Sequence, residues 1–174
     1  MSFDSRSFRD ALGTFPTGVA VVTASGSESH IGITVNSFTS VSLDPPLVLW
    51  CMDRRSQRHD AFIAAPGFTI SILGTKHREV SSRLAKPGEH ALDGLPLKPT
   101  ELGPPGLAEA LAIFECARES TLPGGDHTIL VGRVLRFSRS NAGAPLVYHR
   151  GKYSALAQGK PPEGVEGRRT EDKT

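Results

Sequence analysis

Hydroxyl and amide side chains interrupt what would otherwise be a core strand between Gly32 and Leu49, where Thr34, Asn36, Ser37, Thr39, Ser40 and Ser42 recur within GITVNSFTSVSLDPPLVL. Polar groups in such a segment need partners. A flat heteroaromatic ligand with alternating carbonyls and ring N–H groups would supply them, and the strand backbone can read the same edge. A solvated strand face uses the same residues, and composition alone favours it. A second cluster, Arg54-Arg55-Ser56-Gln57-Arg58-His59, sets an N-cap serine among arginines. Amide N–H groups, a hydroxyl and positive charge converge there, which suits a phosphate and equally a capped helix with a solvated basic end. Third, Gly124-Gly125-Asp126-His127 puts an imidazole at the mouth of a strand, where it can bond an amide, donate a proton or stand in water. Cys51 and Tyr153, read alone, fit packing better than chemistry.

Other chemistries are missing. No GxGxxG occurs, and neither Gly151-Lys152 nor Gly159-Lys160 is followed by the Ser or Thr of a phosphate-binding loop. The histidines form no HExxH, and none is spaced with a cysteine as in a zinc site, so no metal is expected. A net charge of +2 over 174 residues argues against a nucleic-acid or membrane-surface binder. Cys51 and Cys116 lie far apart without a CxxC, and no secretory signal is evident, so a reduced, cytoplasmic chain is expected.

The elements that must position these residues follow from pattern. Asp4 or Ser5 can cap a helix whose Phe8, Leu12 and Phe15 share one face and should pack on something. Strands are expected at Gly18–Ser25, Ile31–Ser42, Leu47–Met52 and Phe68–Leu73, with helices from Ser56 to Ala65 and Thr75 to Ala85. Five prolines and four glycines make Lys86–Gly106 a long surface loop. Leu111–Thr121 and His127–Ser138 form a long hairpin across Leu122–Asp126, and Ala144–Leu156 supplies a last strand pair. Both faces of Ile129–Phe137 are largely apolar, so one fills a barrel and the other meets a helix or a second subunit. One domain over 1–157 is expected, with 158–174 a disordered tail. The fold class is mainly β, an antiparallel barrel with short flanking helices.

Five fragments occur together and in order: FPTGVAVVTA at Phe15–Ala24, GITVNSFTSVSLDPPLVLWC at Gly32–Cys51, SxxH at Ser56–His59, GGDHTILVGRV at Gly124–Val134 and RGKY at Arg150–Tyr153. That set resembles the short-chain flavin reductases of the FMN-binding split barrel, which include reductase components of two-component flavin monooxygenases. The resemblance implies a split, Greek-key antiparallel barrel, a homodimer, and FMN or FAD reduced by NADH or NADPH. It places Thr17, Gly18, Val19 and Asn36, Ser37, Phe38, Thr39, Ser40 along the isoalloxazine, with Cys51 beside the ring. Ser56, Gln57, Arg58 and His59 would lie at the flavin phosphate, and Lys76 and His77 could approach a phosphate. Tyr153 and the catalytic candidate His127 would lie on the nicotinamide side, His127 orienting the amide. A separate oxygenase would take the reduced flavin. Two other readings remain open: an FMN-binding redox or electron-transfer protein without NAD(P)H turnover, and an oxidase with Lys86–Gly106 as a lid.

Overall fold

The computed structural model describes residues 4–26, 29–141 and 143–156, so the tail expected at 158–174 lies outside them. Its elements are α1 (Ser5–Leu12), β1 (Thr17–Gly18), β2 (Ala20–Ser25), β3 (His30–Val35), β4 (Thr39–Leu43), β5 (Pro46–Asp53), α2 (His59–Ala64) and β6 (Gly67–Ile72). A 3-10 turn at Thr75–His77 leads into α3 (Arg78–Leu84), followed by β7 (Leu97–Lys98), β8 (Gly106–Leu107), β9 (Ala112–Gly124), β10 (His127–Arg139), β11 (Leu146–His149) and β12 (Lys152–Ala155). The chain is mainly β with few helices, as composition and punctuation imply.

Seven strands form one antiparallel sheet in the order β3-β2-β6-β9-β10-β5-β4. Residues from β3 at one edge (Ile31, Val35) and from β5 near the other (Val48, Trp50, Met52) share a single buried cluster with Val22, Phe68, Ile70, Cys116 and Leu130. A flat sheet cannot bring both ends onto one core, so the sheet curls around it. Trp50 sits at the centre, edge-on to Phe62 of α2 (5.2 Å) and Phe68 of β6 (5.7 Å). Each such side chain contributes about 1.5–3 kcal/mol on burial. Gly132 of β10 has to be glycine, since a Cβ there would stand 2.5 Å from the Phe68 ring and 3.0 Å from the Cys116 Cβ.

Several expected boundaries shift. The single strand expected over Ile31–Ser42 is broken at Asn36–Phe38 into β3 and β4, the two edges of the sheet. The long hairpin turns on two residues, Gly125 (φ 71°) and Asp126, because Gly124 pairs with His127. Asp4 caps α1, accepting from the N–H groups of Arg6 (3.3 Å) and Ser7 (3.0 Å). The helix nevertheless buries none of its residues: Phe8 and Leu12 are 53% and 60% exposed, and Phe15 just beyond it 73%, against the expected packing.

The proline-rich segment also departs from a surface loop, for Pro104, Pro105, Gly106 and Leu107 are buried against the sheet. Proline has no N–H to satisfy, so only its carbonyls need partners. Buried hydroxyls on β2 and β6 provide them: Thr23 donates to the Pro105 carbonyl (2.6 Å) and Thr69 to that of Pro104 (2.6 Å), while Ser71 accepts from the Leu107 N–H (2.9 Å).

Candidate functional site

A small second sheet, β1-β11-β12, lies beside the barrel, with Tyr148 opposite both Thr17 and Tyr153. Three adjoining clefts run from this sheet along β3 to the turn after β5. The first, about 710 Å³, lies between α1 and the β11–β12 hairpin and includes Thr17, Asn36 and Tyr148 in its lining. The second, about 180 Å³, shares Asn36 and Tyr148 with the first and adds Val19, Thr34, Val35, Ala85 and Tyr153. The third, about 410 Å³, shares Thr34 and Ala85 with the second and continues to Asp53, Arg55, Ser56, Gln57, Arg58, Pro87 and Gly88. The row therefore passes from an aromatic and aliphatic middle to a serine- and arginine-bearing end.

The middle is held rigidly. Thr34 Oγ1 donates to the Ser81 carbonyl of α3 (2.8 Å), the Ser81 and Tyr153 hydroxyls are bonded (2.8 Å), and the Tyr153 ring meets Tyr148 edge-on at 5.5 Å. Thr17 Oγ1 is buried with no hydrogen-bond partner, although the residue borders the first cleft. Such a hydroxyl calls for a ligand acceptor or donor. Gly18 beside it is exposed, and nothing lies within 4 Å of where its Cβ would be, so a flat group can approach the backbone. These features fit a planar heterocycle.

The arginine-rich turn differs from its expected form. α2 begins at His59 with no side-chain cap. Ser56 instead closes a turn, its Oγ accepting from the Arg58 N–H (3.3 Å) and its carbonyl from the His59 N–H (3.0 Å). Arg58 turns inward, donating to the carbonyls of Gly32 (3.2 Å) and Leu84 (2.8 Å) and to that of Lys86. Burial pushes its pKa down, and three of its N–H bonds go to main-chain carbonyls while the residue still borders the third cleft. Arg55 is bound to Asp53, whose carboxyl is held below its usual range chiefly by the Arg55 backbone N–H. Arg55, Ser56, Gln57 and Arg58 all line this end of the row.

Histidines 59 and 77 are likewise occupied. His59 sets Nδ1 against Asp60 and Nε2 against the Thr128 hydroxyl, both at 2.9 Å, which leaves neither ring nitrogen for a phosphate. His77 is buried, accepting from the Gly74 N–H and donating to the Ala108 carbonyl, and Lys76 pairs with Glu109. Neither reaches a phosphate site.

Of the other expected residues, Thr17, Val19, Asn36, Ser56, Gln57 and Tyr153 line the row of clefts. Ser37, Phe38, Thr39, Ser40 and Cys51 are outside that lining. Ser37 Oγ accepts from the Cys51 N–H (2.9 Å), and desolvation raises the thiol pKa. His127 is not brought to Tyr153; it pairs in register with Asp53 and donates from Nδ1 to Asp126 (2.8 Å). Tyr148 and Ser81 were not singled out in the sequence. The pattern Tyr148-His149-Arg150-Gly151-Lys152-Tyr153 carried a signal for the first, because a two-residue turn there sets the two tyrosines opposite each other.

Residues 12–157 match the flavin reductase like domain family. The FMN reductase (NADH) SmoA of Agrobacterium fabrum is 46% identical over 155 residues, covering 89% of this chain and 88% of the relative. The reductase subunit HsaB of a flavin-dependent monooxygenase from Mycobacterium tuberculosis is 35% identical, covering 88% and 83%. Two longer Rhizobium meliloti relatives are each 41% identical, and this chain spans 49% and 66% of them. Among solved structures, the Streptomyces globisporus NADH:FAD oxidoreductase SgcE6, in complex with NAD and FAD fragments, superposes with a TM-score of 0.84 at 38% identity, covering 89% of this chain and 94% of that one. With a family match over nearly all the described residues and relatives of this similarity, the chain belongs to the flavin reductase-like family.

Proposed function

We propose that this protein is an NADH-dependent flavin reductase that passes hydride to FMN or FAD and supplies reduced flavin to a separate oxygenase. The observation that carries this reading is the polarity of the row of clefts, apolar and aromatic around Tyr148 and Tyr153 and lined by Ser56, Gln57 and arginines at its far end, which suits a ring with a ribityl phosphate tail. The relatives named as NADH-dependent FMN and FAD reductases and as a monooxygenase subunit support it.

Bound flavin supplies the acceptor for the hydride of dihydronicotinamide. This chain's residues position and enclose. Thr17 Oγ1 and the Gly18 backbone would hold the polar edge of the ring, while Val19 and the tyrosines would exclude water from its face. Ser56 and Gln57, with the Ala85–Gly88 segment opposite, receive the phosphate end. Ser37, Phe38, Thr39, Ser40 and Cys51, outside the cleft lining, would extend the ring site from Asn36 toward β4 and β5.

The barrel is read as the split, Greek-key type, supported by sheet edges β3 and β4 that are joined through Asn36–Phe38. A homodimer is supported by the half-buried face of Leu47, Leu49, Cys51, Ile129 and Val131, which register places on one side of β5 and β10. His127 lies on that face, so its role in orienting the nicotinamide amide is assigned across the subunit boundary. Free Cys51 and Cys116 accord with a cytoplasmic site. The test is the loss of NADH absorbance with added FMN or FAD. Rapid flavin-dependent oxidation is expected, whereas tightly yellow protein without turnover would make it an FMN-binding redox protein instead.

A further inference from the structure

The hairpin between β11 and β12 turns on Arg150 and Gly151, both with positive φ (49° and 75°). Two-residue turns of this kind favour Asn, Asp or Gly at the first position, and a residue with a full side chain is strained there. Arginine in that place has no structural reason. Its backbone N–H donates to the Gly13 carbonyl (2.9 Å), which any residue but proline would do equally well. Its guanidinium has no hydrogen-bond or ion-pair partner among the described residues, nor has that of Arg9, and both line the first cleft. Asp10 is the one acid in that lining, so cationic charge prevails. This cleft adjoins the tyrosine-lined one, with Asn36 and Tyr148 lining both. A dinucleotide whose reactive ring lies against the tyrosines has its diphosphate one cleft away.

We propose that Arg150, with Arg9 beside it, receives the diphosphate of a bound dinucleotide. The reading rests on the reductase assignment, and the dinucleotide is the nicotinamide reductant, because the diphosphate of FAD includes the flavin phosphate assigned to the Ser56 end of the row. Two charge-assisted bonds from a guanidinium to a diphosphate give selectivity that mononucleotide and phosphate-free substrates do not feel.

Arg150→Asn suits the turn, so the variant keeps or raises the wild-type Tm. It weakens binding of ADP-ribose, a diphosphate without a hydride, about 10-fold by calorimetry. With FMN as acceptor it raises the KM for NADH by a similar factor, and with a phosphate-free benzyl-dihydronicotinamide as donor it leaves the KM for FMN unchanged. Unchanged ADP-ribose affinity, or an equal loss with FMN and the phosphate-free donor, overturns the proposal. Arg9→Gln should act in the same direction and less. Wild-type protein that oxidises no NADH with any flavin would sink the reductase reading, yet the calorimetric comparison would still decide the role of Arg150.

Discussion

Replacing Arg58 by methionine separates a structural arginine from a phosphate ligand. Its guanidinium ties β3 to the end of α3 through the carbonyls of Gly32, Leu84 and Lys86. Lys86 is exposed, so water can take over at its carbonyl, whereas Gly32 and Leu84 are buried. A buried carbonyl left bare costs about 1–3 kcal/mol. Two of them amount to roughly 2–6 kcal/mol, offset in part because the variant no longer buries a cation. A net loss of about 3 kcal/mol lowers the Tm of a domain this size by roughly 6–12 °C. Thermal unfolding followed by circular dichroism measures this, and KM values for FMN and riboflavin complete the comparison. Because the Ala85–Gly88 wall is loosened, some flavin affinity is lost as well. A Tm within about 1 °C of wild type, together with a roughly 10-fold loss confined to FMN, would refute the reasoning and return Arg58 to the phosphate.

Further expectations follow from single groups. Thr17→Val removes a buried hydroxyl that lacks a partner, so the free protein should gain up to about 1 kcal/mol in denaturant unfolding while its flavin Kd rises. Gly132→Ala drives a methyl into the Phe68 ring and should cost about 1–3 kcal/mol by the same assay. Burial pushes the Cys116 thiol up to about 12 from an ordinary 9.0, so the folded chain keeps a proton that the unfolded chain loses. The stabilisation is therefore complete below pH 9 and fades between 9 and about 12, a slope that Cys116→Ala should flatten in pH-dependent unfolding.

Much of the fold is legible in local pattern. β-Branched runs and Gly/Pro punctuation mark the strands within a few residues, and the cap at Asp4 follows from residue type alone. Thr17, Asn36, Ser56 and Tyr153 could be named because ordered fragments resemble those of a family. Four departures from what local pattern suggests have a shared origin. Phe8, Leu12 and Phe15 have the spacing of a packed face, but periodicity does not say whether a packing surface exists within the same chain. Arg58 stands among arginines that read as anion-binding, yet the carbonyls of Gly32, Leu84 and Lys86 that claim it come from elements 26 to 28 residues away. His59 is claimed by Thr128, and the prolines of the 100–107 segment by hydroxyls on β2 and β6.

Sequence by itself determined which residues are able to form strands, turns and caps, since those preferences lie in the backbone and the nearest side chains. Tertiary structure decided which polar groups are spent inside the protein and which are left over. A hydrogen bond between Arg58 and Leu84, or its absence at Thr17, depends on how distant strands meet around one core, and no local preference encodes that meeting.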